Sequence, residues 1–191
     1  MLAALPDSTT IVFILLGSLS AGFVTGFAGF GTGLVASGFW FHVLPPGFVP
    51  PMVVFASVAG QLVSLVGLRP RFDWPRALPY LVGGTLGEYP GLSGPLPLIW
   101  LQLRGGPSLE QRAVYQPFNL IVLALAAAGM AGAGRVDTAV LSALLIAVPG
   151  TVIGAFLGAR LYRHASEATF RKVVLTLLLA SGALLVLEGL W

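Results

Sequence analysis

Apolar residues fall in runs at about residues 10–26, 28–44, 49–68, 77–88, 91–103, 113–133, 138–160 and 172–190. Between them lie Gly29-Phe30-Gly31-Thr32-Gly33, Pro45-Pro46, 69–76, Glu88-Tyr89-Pro90-Gly91, 104–112, 134–137 and 160–172. Each break supplies glycine, proline or charge to end a helix. A bilayer-crossing helix takes roughly 20 apolar residues. The pattern therefore predicts an all-α, polytopic transmembrane protein of about seven or eight membrane segments, a single transmembrane domain over residues 1–191.

Charge decides how the ambiguous run at 77–103 is divided. One leg would split the basic residues four against six, whereas two legs place Arg69/Arg71/Arg76, Arg104/Arg112 and Arg160/Arg163/Arg171/Lys172 on one side and Arg135 alone on the other. The bias of basic residues towards the cytoplasm favours two legs, with both termini outside the cytoplasm. Legs of 12 and 13 residues reach only about 20 Å each, short of a hydrocarbon core roughly 30 Å thick. They predict broken or re-entrant helices, with the tip at Glu88-Tyr89-Pro90-Gly91 facing protein or water.

A faint internal repeat runs through the chain. A shift of 62 residues lays GFGTG (29–33) on GLSGP (91–95) and Ser57 on Asn119. An odd number of crossings separates the two copies, about 8–76 and 77–191, so the second is inverted relative to the first. Inverted repeats with interrupted helices are a transporter pattern.

Composition agrees with the apolar pattern and narrows the function classes. Only 10 Lys/Arg and 7 Asp/Glu occur in 191 residues, with no formal charge between Asp7 and Arg69. A soluble domain needs a more charged surface, and no room remains for a separate catalytic domain. The formal charge of +3 comes from basic residues scattered over short loops, a topology signal rather than a nucleic-acid surface. With no cysteine, thiol redox chemistry and thiolate metal sites are excluded. Asp7 without a Lys or Arg ahead of the first run argues against a cleaved signal peptide. His42 and His164 lack acidic neighbours at helical spacing, and no zincin or paired-Asp motif occurs, so no enzyme, cofactor or metal is expected.

The glycine-rich breaks carry more chemistry. Helices beginning near Gly33 and at Pro95 would each expose unpaired backbone N–H groups, and such ends attract anions. Two of them meeting near the midplane would form an anion site without a buried cation. The competing reading takes Gly22/Gly26, Gly29/Gly33, Gly83/Gly87 and Gly154/Gly158 as small-residue helix contacts. Gln116 and Asn119, with Tyr115, share a helix face in an apolar run, and Ser57 and Gln61 share another. They line a cavity or bond neighbouring helices. Arg112 reads as a topology-setting arginine or an anion contact, and Glu88 as a loop acid or a proton carrier.

The segments AGFVTGFAGFGTGLVA (21–36), GLSGPLPLIWLQLRG (91–105) and RAVYQPFN (112–119) resemble the TauE/SafE sulfite exporter family of bacterial membrane permeases. The resemblance covers most of the chain. It implies a multi-pass inner-membrane carrier of small anions such as sulfite or organosulfonates, with the lipid bilayer and that anion as its partners. Gly29, Gly31, Thr32, Gly33, Gly91, Ser93, Gly94 and Pro95 would form the broken-helix motifs of the substrate path, joined by Gln116 and Asn119. Family members are usually longer. Here LVGGTLG (81–87) runs almost directly into YPGLSGP (89–95), as if an even number of crossings were missing. A shortened chain admits a different role, as a non-transporting scaffold associating with another copy.

Overall fold

The computed structural model describes residues 7–68 and 107–188. The run at 77–103 lies outside these, as do Glu88, Gly91, Ser93, Gly94 and Pro95. The described residues form six helices: α1 (Ser8–Ala28), α2 (Thr32–Trp40), α3 (Val49–Leu68), α4 (Ser108–Gly132), α5 (Thr138–Tyr162) and α6 (Glu167–Glu188). No strand occurs among them. Four, α1, α3, α4 and α5, are long and apolar enough to cross a membrane.

The local starts and stops follow from sequence. Asp137 accepts a hydrogen bond from Val140 N (2.8 Å) to open α5, an N-cap of the usual kind. Pro50 and Pro51 stand in the first turn of α3, where a missing N–H removes no helix bond. At the start of α1 Thr10 donates to the Asp7 carboxylate, which holds that carboxyl below its usual value. Pro117 and Pro149 lie inside α4 and α5. Membrane helices tolerate this where neighbours satisfy the freed carbonyls.

The expected apolar run at 28–44 is divided differently. Gly29 (φ 83°) and Gly31 (φ 95°) take left-handed backbone that other residues enter only with strain, and the chain reverses there. Beyond the reversal stands a nine-residue helix, α2. At 1.5 Å per residue it rises about 14 Å, roughly half the thickness of a hydrocarbon core. It runs back beside α1: the hydroxyls of Thr25 and Thr32 bond to each other, and Trp40 Nε1 donates to Ile14 O at 3.3 Å.

Glycine sets the rest of the packing. A Cβ placed on Gly22 would lie 2.2 Å from Thr151 O, and one on Gly26 would lie 2.1 Å from Ala155 O. From the other side, Cβ atoms at Gly154 and Gly158 would lie 2.2 Å from Leu19 O and 2.1 Å from Phe23 O. Backbone therefore touches backbone along the whole seam, as small residues permit in lipid. The small-residue reading of Gly22/Gly26 and Gly154/Gly158 is what the structure shows.

The contacts advance together along both chains, so α1 and α5 are parallel. α3 runs the same way, since Gly60 faces Thr151 and Gly67 faces Ala159. At one end an apolar core joins Ile14, Trp40, Val49, Met52, Val140 and Leu144. At the other, Phe27 packs on Tyr162 and Phe170 with ring centroids 6.3 and 6.4 Å apart. Leu145, Val66 and Leu179 point outwards with 72–78% of their surface free, as residues against acyl chains do. A cleft of about 590 Å³ between α3 and α5, lined by residues such as Leu62, Val66 and Phe156, is wholly apolar and offers a polar ligand nothing.

Candidate functional site: the α1–α2 break and its polar clamp

A helix leaves its last four carbonyls without partners, and in a membrane interior no water answers them. The C-terminus of α1 is buried, yet each of these groups is satisfied. Thr25 O accepts from Gly29 N at 2.7 Å, a local turn. Gly26 O accepts from Arg112 Nη2 at 3.0 Å, and Phe27 O from Arg112 Nη1 at 2.7 Å. Ala28 O accepts from the Tyr115 hydroxyl, and Gly29 O from Gln61 Nε2 at 2.7 Å. Side chains from α3 and α4 thus clamp four consecutive carbonyls.

Behind the clamp, Ser64 Oγ accepts from Arg112 Nη2 at 2.7 Å and from Gln116 Nε2 at 2.9 Å. The Arg112 guanidinium also lies over the Tyr162 ring, 4.4 Å from its centroid, a cation–π contact. Tyr162 and Ser108 exchange a hydroxyl bond of 2.6 Å. Glu167 accepts from Ser108 N and Ser108 Oγ, both at 2.9 Å. A carboxylate on the first N–H of α4 is the favourable sign for that helix end. Since Ser64 holds the end of α3 against the start of α4, these two ends lie at the same end of the bundle.

The sequence places Arg112 at a helix start, where it reads as an interfacial residue. The structure buries it completely. No carboxylate pairs with it among the described residues. Its Nε, together with Gln61 Oε1 and Gln116 Oε1, is a buried polar atom without a partner there. Unsatisfied buried groups are uncommon and each has capacity for a polar guest.

The break itself faces this polar cluster. Gly29 is buried against Tyr115 and Gln116: a Cβ there would lie 2.7 Å from the Tyr115 hydroxyl and 2.9 Å from Gln116 Nε2. α2 begins at Thr32 with Gly31 as its N-cap, and no side-chain cap bonds its first N–H groups among the described residues. Among the expected site residues, the structure therefore gathers Gly29, Gly31, Thr32, Gln116 and Arg112 around one break. Gly33 lies one residue into α2 with Val53 as its neighbour. Asn119, one turn beyond Tyr115, is only half-buried. Gln61 and Tyr115, polar positions on the faces read from sequence, join the cluster, and so does Ser64, which no motif marks. Their partners lie 32, 48 and 87 residues away in sequence.

Replacing Gln61 with leucine is expected to leave Gly29 O buried and unbonded. Thermal unfolding in detergent should show a loss of about 1–3 kcal/mol. A melting temperature equal to the wild type would contradict the clamp.

Comparison with known proteins now bears on this geometry. The pattern of the family "Sulfite exporter TauE/SafE" matches residues 90–185, about half of the chain. The chain belongs to the TauE/SafE family. A curated relative, the "Probable inner membrane transporter protein TsaS" of Comamonas testosteroni, is 34% identical over 143 residues. That alignment takes in 69% of this chain and 59% of the relative, so the chain spans about three fifths of TsaS. No solved structure matches. As a TauE/SafE protein with four described helices fit to span a bilayer, the chain is a membrane protein.

Proposed function

We infer that this TauE/SafE protein is a transporter of small sulfur oxyanions, sulfite or an organosulfonate, across the inner membrane. The observation that carries the reading is the interruption at Gly29–Gly31, where α2 starts inside the bundle beside the buried Arg112 cluster, with no side-chain cap among the described residues. An N-terminus of this kind holds an anion by N–H donation and by its positive dipole end. Alternating access around this break is the mechanism that an interrupted helix of this kind supports. The relative's printed name, an inner membrane transporter, supports the transport reading.

The proposed topology has both termini outside the cytoplasm. Support comes from α3 and α4, since the end of one and the start of the other lie at the same end of the bundle. The basic residues Arg160, Arg163, Arg171 and Lys172 cluster at that same end of the bundle, near the α5–α6 turn. Exposed apolar side chains such as Leu145 and Leu179 support a lipid-facing surface on α5 and α6.

The chain contains no cysteine, so Thr32→Cys gives a single reporter at the break. Alkylation of that thiol by iodoacetamide in proteoliposomes should proceed and should be slowed by ethanesulfonate, an unreactive member of the substrate class. A labelling rate indifferent to ethanesulfonate, or no labelling from either side, would count against a substrate path through α2.

A further inference from the structure

We propose that Arg112 sets the charge selectivity of the break from behind, through its field, while its Nη1 and Nη2 donate to the α1 carbonyls and Ser64. The inference rests on the anion-transport reading above and assigns the residue that makes the site favour anions.

At the break two helix ends meet. The C-terminus of α1 carries the equivalent of about −0.5 charge and the N-terminus of α2 about +0.5. Thr25 and Thr32 are in direct contact, so an anion approaching the first turn of α2 feels both ends at similar range. The two contributions largely cancel. A bare broken helix of this shape is therefore a weak anion site.

Arg112 changes the sum. Its guanidinium sits on Gly26 O and Phe27 O, the carbonyls that form the negative end of α1. Arginine stays protonated in proteins, so the charge is present at any working pH. No carboxylate neutralises it among the described residues, and Tyr162 meets it as a neutral ring and hydroxyl. The break then carries about one net positive charge instead of none. A buried cation without a counter-ion is unfavourable by itself, and an anion at α2 supplies one.

Arg112 acts across a chain of contacts rather than by touching the anion. Gly26, whose carbonyl it holds, adjoins Thr25, and Thr25 touches Thr32. A charge acting over roughly 10 Å at an effective dielectric near 20 changes binding of a monoanion about tenfold and of a dianion about a hundredfold. Loss of packing or of a cap would weaken both ligands alike. The ratio between the two ligands therefore separates charge from structure.

The test uses the full chain in detergent and measures Kd for methanesulfonate, a monoanion, and for sulfite at alkaline pH, a dianion. Arg112→Gln should weaken the first about tenfold and the second about a hundredfold. Arg112→Lys should keep the dianion-to-monoanion ratio, and Tyr115→Phe should lower the melting temperature while keeping it.

Ser64→Asp serves where Arg112→Gln fails to fold. It puts a carboxylate in the place of the hydroxyl that lies 2.7 Å from Arg112 Nη2, and neutralises the cation with the carbonyl bonds kept. It should reproduce the charge-graded loss. A folded Ser64→Asp protein whose ratio equals the wild type would overturn the assignment to Arg112 while leaving anion binding intact. A wild-type protein that binds neither anion would instead overturn the anion-transport reading, and this inference with it.

Discussion

Gly26→Ala is expected to destabilise the protein by about 3 kcal/mol or more, close to the limit of what a membrane bundle survives. The added Cβ would lie 2.1 Å from the carbonyl oxygen of Ala155 and 2.8 Å from its Cα. Both are backbone atoms of α5 and cannot rotate aside. Relief requires α1 and α5 to separate, which forfeits contacts at Gly22, Gly154 and Gly158 as well. Gly154→Ala should behave alike, because its Cβ would meet Leu19 O at 2.2 Å. Gly38 supplies the control: it is helical in α2 and nothing lies within 4 Å of a Cβ there. Gly38→Ala should be neutral or stabilising by up to about 1 kcal/mol. Thermal unfolding of the three variants in detergent checks the ranking. Equal melting of Gly26→Ala and Gly38→Ala would contradict the glycine seam.

Gly29→Ala should abolish most transport while leaving the α1–α5 seam assembled. Two effects add. The left-handed φ of 83° costs an alanine about 1–2 kcal/mol. The new methyl would also press on Tyr115 and Gln116, the side chains that flank the break. The Tyr115 hydroxyl would leave Ala28 O, and α2 would lose its entry angle. Solute flux should fall at least tenfold, since each ~1.4 kcal/mol at the site is a factor of ten. Gly31→Ala has the same backbone problem but meets a movable Val24 methyl at 3.0 Å. Its effect should be smaller. Flux of Gly29→Ala at the wild-type rate, in protein that folds, would remove the break from the transport path.

Much of the frame was legible because lipid imposes simple rules. The run at 49–68 coincides with α3, and that at 10–26 lies inside α1. Apolar length and the glycine and proline breaks are local signals. The break was visible for the same reason, through the glycines at 29 and 31, although Thr32 and Gly33 already belong to α2. The clamp was not. Nothing beside Arg112 in sequence shows that its partners are carbonyls 85 and 86 residues earlier.

A charged residue at the head of an apolar run reads as interfacial until the fold brings an unsatisfied helix end to meet it. The partners of Gln61 and Tyr115 were hidden likewise. Amides and tyrosines in membrane helices announce some hydrogen bond without naming its partner. The half-length of α2 was also obscured, because apolar residues continue through 41–44 after the helix has ended.

Efflux from proteoliposomes loaded with sulfite or an organosulfonate tests the central claim most directly, with TsaS of Comamonas testosteroni reconstituted in parallel and empty liposomes as the baseline. The expected result is sulfite or organosulfonate efflux above baseline from this chain, lost in Gly29→Ala. Baseline efflux of both solutes from the wild-type chain, in vesicles where TsaS moves either one, would contradict it.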